Sequence, residues 1–151
     1  MAALPSQLTD HLGYWLRLVS NQVSLSFARR VEDRGVTVGE WVLLREVYEV
    51  DRIAPIRLSE RMGMTRGAIS KLAERLIAKG LLLRRDDERD ARGQWLSLTA
   101  AGRDLVPALA ALADENDAAF FDTLSVSDRA ELDRLLKLVA QRHGLKDPPV
   151  S

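Results

Sequence analysis

Arg66, Gly67, Ser70 and Lys71 are spaced to share one face of a helix, and their types suit one kind of chemistry. A guanidinium, a hydroxyl and an ammonium supply hydrogen-bond donors and positive charge. The glycine among them leaves room for a surface to approach closely. Phosphate oxygens and base edges in a DNA major groove are the acceptors that such a face would meet. Arg75 lies on the flank of this face, placed for a phosphate or for an acid of its own chain. The same residues would also serve as a solvated helix face, and the distribution of charge separates the two readings. The formal net charge is zero, but residues 57–85 hold eight basic and two acidic side chains, a local charge of +6 balanced by −6 elsewhere. A basic segment on an acidic body is the asymmetry expected of a nucleic-acid-reading module. A solvated face does not explain why the acids avoid this segment.

Other chemistries find less support. Asp86, Asp87, Glu88 and Asp90 form an acidic cluster, but the alternation and the terminal bidentate Glu of a calcium loop are missing. The cluster reads as a solvated loop. His11 and His143 are the only histidines, and there is no cysteine. That excludes thiol sensing and Cys-ligated zinc, and two histidines alone make no zinc site. Neither a nucleophile elbow nor a Gly-rich phosphate loop is present, so no catalytic residue, metal or cofactor is expected. The 151 residues suit one domain, with 46% hydrophobic and 29% charged residues as in a globular protein. No signal-peptide pattern is visible, and the longest apolar run, residues 105–113, falls short of the roughly 20 residues of a membrane span. A cytoplasmic location is the expectation.

The elements that must position these residues are legible around them. Thr65 is an N-cap candidate for a helix over residues 66–79, and Gly80 is suited to close it. Lys79 complements the negative end of that helix's dipole. Ile69, Leu72, Ala73 and Leu76 form the buried stripe opposite the polar face. A shorter helix over residues 55–62 starts on Pro55 and ends at Gly63, and Gly63-Met64-Thr65 has the length of a helix-turn-helix connection. Beyond Gly80 the period becomes extended. Residues 81–85 and 94–98 form two strand candidates around a polar loop, which makes a hairpin wing. The fold expected is mainly α with a small β-hairpin wing, a winged helix-turn-helix. Flanking it, residues 7–34 read as one long helix broken by Gly35. Thr37 and Glu40 form a capping box for a second helix to about residue 50. Thr99 caps a helix reaching about residue 121, and Ser127 with Asp128 begins a last one ending at Gly144. The first helix and the last two are more apolar than one small head can cover, so a second copy is the natural partner.

Several runs resemble the MarR family of bacterial transcriptional regulators. They are Asp90-Ala91-Arg92, Leu96-Ser97-Leu98-Thr99 with Gly102, Met62-Gly63-Met64, Ile69-Ser70-Lys71-Leu72 and Lys79-Gly80-Leu81. Trp41-Val42-Leu43 and the long flanking helices fit as well. Gly93-Gln94 departs from the pattern, where the family often has alanine or a basic residue. The resemblance implies one MarR-like domain over residues 1–151, with dimerisation helices at 6–35 and 100–144 and a reading head at 37–98. It implies a homodimeric DNA-binding regulator, a repressor, on a near-palindromic operator. The implied DNA-binding residues are Thr65, Arg66, Gly67, Ser70, Lys71, Arg75, Asp90 and Arg92, with Arg92 entering the minor groove and Asp90 orienting it or pinning the loop. It also implies a small aromatic or anionic effector between the dimer helices and the head, for which Tyr14, Trp15, Arg17 and Trp41 are the candidates. Trp15 and Trp41 would equally serve as core. The reading from another class is a winged-helix module for protein–protein contact, its basic helix meeting an acidic partner.

Overall fold

The computed structural model describes residues 3–90 and 93–145. A 3-10 turn at Leu8–Asp10 precedes α1 (Leu12–Glu32), α2 (Val38–Tyr48), α3 (Pro55–Met62) and α4 (Arg66–Ala78). The strands β1 (Leu82–Asp86) and β2 (Gln94–Leu98) follow, then α5 (Ala100–Phe121) and α6 (Val126–Arg142). This is the expected winged helix-turn-helix between long helices.

The helix ends are set by short-range chemistry. Thr37 and Glu40 close the capping box reciprocally, with Glu40 N–H donating to Thr37 Oγ1 at 3.1 Å and Thr37 N–H donating to Glu40 Oε1 at 3.3 Å. Thr65 and Thr99 accept from the third residues of α4 and α5 at 3.1 and 3.0 Å. Gly63, at φ 61°, takes the left-handed conformation that ends α3. The tight turn after it is sealed by Ser59 Oγ–H donating to the Met64 carbonyl at 2.6 Å.

Four boundaries differ from expectation. The first helix does not begin at residue 7: His11 is extended (φ −95°, ψ 128°) and separates the 3-10 turn from α1. Asp10 accepts the Gln7 amide at 2.8 Å, and this local side-chain bond competes with a continuous helix. The wing's first strand starts one residue late, because Leu81 is used otherwise. Its amide closes α4 on Leu76 at 3.0 Å and its carbonyl accepts Thr99 N–H at 3.2 Å. The last helix starts at Val126 rather than at Ser127, since Ser125 supplies the cap by accepting from Asp128 N–H at 3.0 Å. The stretch before α3 is not only a loop: Ile53 pairs with Leu96 through two backbone bonds of 2.9 Å, adding a one-residue third strand to the wing.

The core lies in the middle of the chain. Leu43, Leu44 and Val47 of α2, Leu58 of α3, Leu76 of α4 and Leu96 of β2 are all fully buried. The outer helices contrast with this: α1 buries only Val31, and α6 buries no residue. The joint between wing and α5 is tight. A Cβ on Gly102 would sit 2.1 Å from the Leu81 carbonyl oxygen, so only glycine lets the helix pass the strand. Thr99 Oγ1–H also donates to the Gly80 carbonyl at 2.7 Å. No helix among the described residues is long and apolar enough to cross a membrane.

Candidate nucleic-acid interface

The eight basic residues between positions 57 and 85 divide into two groups. Arg57 pairs with Glu60 at 3.6 Å, Arg61 with Glu46 at 3.7 Å, and Lys79 with Glu40 at 2.7 Å. Arg66, Lys71, Arg75, Arg84 and Arg85 are exposed and have no ion-pair partner among the described residues. These five lie on α4 and β1. The charge surplus counted along the sequence is therefore presented on the surface rather than cancelled at short range.

On α4 the apolar stripe of Ile69, Leu72, Ala73 and Leu76 is buried, which turns Arg66, Gly67, Ser70 and Lys71 outward. Thr65 is exposed, and its hydroxyl is committed to the cap, so it orders the first turn that carries Arg66 and Gly67. A Cβ at Gly67 would meet nothing closer than Thr65 Oγ1 at 4.0 Å. The space over this glycine is open to an incoming surface. Arg75 stands at the rim of a cavity of about 460 Å³ lined also by Val36, Val38, Met64 and Leu72. The acid of its own chain considered for it is not found among the described residues.

The wing is antiparallel, with Arg84 opposite Leu96 and Arg85 opposite Trp95. Asp87 N–H donates to the Gly93 carbonyl, and Gly93 N–H donates to the Asp90 carbonyl, both at 2.9 Å. Asp90 is exposed at the loop, and its main chain helps to shape the tip. Arg92 lies outside the described residues. Two residues not anticipated from the sequence brace the wing near its loop. The Arg52 guanidinium lies over the Trp95 ring, 4.3 Å from its centroid. Trp95 Nε1 is buried without a hydrogen-bond partner among the described residues. Only the Ile53 bridge brings Arg52 beside β2, and a single-residue pairing leaves no periodicity to read.

The four effector candidates do not converge within one chain. Tyr14 and Trp15 pack edge to face at 5.5 Å, and Trp15 Nε1–H donates to the Thr9 carbonyl at 2.9 Å. Arg17 is exposed nearby. Trp41 packs instead on Phe27, at 6.5 Å, against the core. Phe27 is twelve residues beyond Trp15 on α1, about 18 Å along the helix. A different cavity, of about 320 Å³, opens beside α1 and α5, with Leu25, Arg29, Arg30 and Phe120 in its lining.

Comparison with known proteins agrees with this geometry. The model of the MarR family matches residues 34–93, from within the α1–α2 turn to the wing loop. An uncharacterised HTH-type transcriptional regulator of Bacillus cereus is 27% identical over 141 residues, covering 89% of this chain and 92% of that one. The crystal structure of a probable transcriptional regulator from Pseudomonas aeruginosa superposes with a TM-score of 0.76 at 28% identity, covering 88% of this chain and 99% of that one. A mutant MarR from E. coli complexed with operator DNA superposes at 0.75 with 20% identity, covering 89% of this chain and 99% of that one.

Proposed function

We propose that the chain is a member of the MarR family of transcriptional regulators, whose model matches its reading head, and that it is a sequence-specific DNA-binding repressor. It acts in the cytoplasm as a homodimer on a near-palindromic operator, and it is not an enzyme. The observation that carries this reading is the set of unpaired cations on α4 and β1 beside an open glycine. In it, Thr65, Arg66, Gly67, Ser70, Lys71 and Arg75 form the major-groove surface. Arg92, with Asp90 shaping the loop, reaches the minor groove, where a narrow groove concentrates negative potential. The whole chain is one domain, with residues 37–98 reading DNA and residues 6–35 and 100–144 forming the dimer.

The dimer is supported by the open apolar faces of the outer helices. Leu12, Leu16 and Val19 of α1 and Leu135, Leu136 and Val139 of α6 are between 43% and 89% exposed. Faces of this size are covered in stable proteins, and a two-fold partner covers them with the same surface. Such a dimer sets two copies of α4 about one DNA turn apart. A small aromatic or anionic effector would release the operator by binding one head spacing better than the other. Tyr14, Trp15 and Arg17 of one protomer would reach Trp41 only across the dimer. The cavity with Arg29, Arg30 and Phe120 offers the same pairing of ring and guanidinium.

The test is binding of the purified protein to DNA from its own upstream region at two salt concentrations, with a non-specific duplex as control. One dimer per near-palindromic site, bound far more tightly than the control, is expected. Arg92→Ala should weaken that binding and leave the dimer intact by sedimentation. Equal weak binding to both duplexes would put the protein–protein module ahead, with an acidic partner on the same face.

A further inference from the structure

Lys79 carries a positive charge in the head but directs it inward. Its Nζ lies 2.7 and 3.0 Å from the two carboxylate oxygens of Glu40 and 2.8 Å from the Gly35 carbonyl. An ammonium has three donors, and all three have acceptors here. Glu40 is 1% exposed, and its Oε1 also accepts the Thr37 amide. A surface ion pair is weak and mobile, whereas this one is desolvated on the acid side and aimed at three oxygens. It joins the C-terminal end of α4 to the turn between α1 and α2, at Gly35, and to the first turn of α2, at Glu40, 44 and 39 residues earlier.

Within α4 itself the contact with the rest of the head is the apolar stripe, and the Thr99 bonds to Gly80 and Leu81 lie beyond its end. Burial of Ile69, Leu72, Ala73 and Leu76 is strong but non-directional, and such a stripe tolerates small rotations of the helix about its axis. At a side-chain radius of about 5–6 Å, a rotation of about 10° moves the outward tips by about 1 Å. A hydrogen bond to a base edge does not survive that displacement, whereas attraction to phosphate barely changes. We propose that Glu40, Lys79 and the Gly35 carbonyl form the positioning element that sets the rotation of α4, and so determines discrimination between operator and other DNA. The proposal rests on the reading of α4 as the DNA-reading helix. Because Gly35 lies in the turn three residues past the end of α1, the same element refers that rotation to a helix assigned to the dimer.

The double variant Glu40→Gln/Lys79→Met separates positioning from stability and from charge. It removes one charge of each sign, so net charge is unchanged, and glutamine still serves a capping box. No unpaired charge is left buried. Operator and non-specific affinities are measured by fluorescence anisotropy on the same preparation, with sedimentation velocity and thermal melting alongside. The expected result is a folded dimer with unchanged non-specific affinity and an operator affinity lower by about tenfold, the size of losing one base contact. A ratio of operator to non-specific affinity equal to wild type overturns the proposal, and so does a proportional loss on both duplexes. Should the double variant not fold, Glu40→Gln alone decides: it keeps one acceptor oxygen, and an unchanged ratio there is equally fatal. Wild-type protein that prefers no duplex removes the DNA reading itself, an outcome that the wild-type control distinguishes from failure of the positioning element.

Discussion

The reading head and the outer helices draw on the same amino acids and use them differently. Leu43, Leu44, Leu58, Leu76 and Leu96 in the head are 0% exposed, whereas Leu12, Leu16, Leu135 and Leu136 in α1 and α6 are 43–89% exposed. The head closes its core within one chain, because α2, α3, α4 and the wing surround it together with Val31 of α1 and Val106 and Leu109 of α5. The outer helices have only each other and the edge of that core, and a helix needs apolar cover along its whole stripe. The head thus covers its own core, whereas the outer helices leave apolar faces that the proposed dimer would cover.

Substitutions that treat the two regions alike should give unlike results. Leu76→Ala opens a cavity in a closed core and should cost about 2–5 kcal/mol, read as a large fall in Tm at any protein concentration. Leu136→Asp should act through association: sedimentation velocity would show loss of the dimer and a Tm that no longer depends on concentration, while circular dichroism keeps the helical signal. A variant that instead unfolds as Leu76→Ala does would erase the distinction between the regions. Smallest is the effect expected on the outer face of α4. Lys71→Ala should leave Tm unchanged and reduce the slope of log affinity against log salt by about one if Lys71 meets only phosphate. Lost discrimination at a single base pair would assign it to direct readout instead.

Much of this was legible in the sequence where the controlling chemistry is short-range. Thr37, Thr65 and Thr99 announce helix starts because the hydroxyl and the amide it accepts from are three residues apart. Gly63 announces the turn between α3 and α4 for a similar reason. Where two local signals compete, the sequence does not say which one wins. Ser125 and Ser127 are both cap types, and the first is the one whose hydroxyl caps α6. At the amino end, Asp10 satisfies Gln7 locally and breaks a periodicity that runs on through it. Pairings across long separations leave no trace at all. Lys79 reads as a helix-end charge until Glu40 is found beneath it, and Ile53 reads as loop until Leu96 is beside it. The outward face of α4 was legible from its complement, the apolar stripe. The gathering of effector candidates was not, since a stripe does not tell how far along a helix two aromatic residues find their neighbours.

The joint at Gly102 has a mechanical corollary. With no Cβ there, with Thr99 bonded to Gly80, Leu81 and Gly102 and with the Leu81 carbonyl against the helix, the start of α5 is held closely to the start of the wing. The 22 residues of α5 span about 33 Å. A tilt of about 5° at the far end of such a rod is about 3 Å of travel at the near end, by the same rise per residue. In the proposed dimer the head would ride on that end, and the long helix would work as a lever arm, converting a slight change of angle in the assembly into a shift comparable to the rise of one DNA base pair.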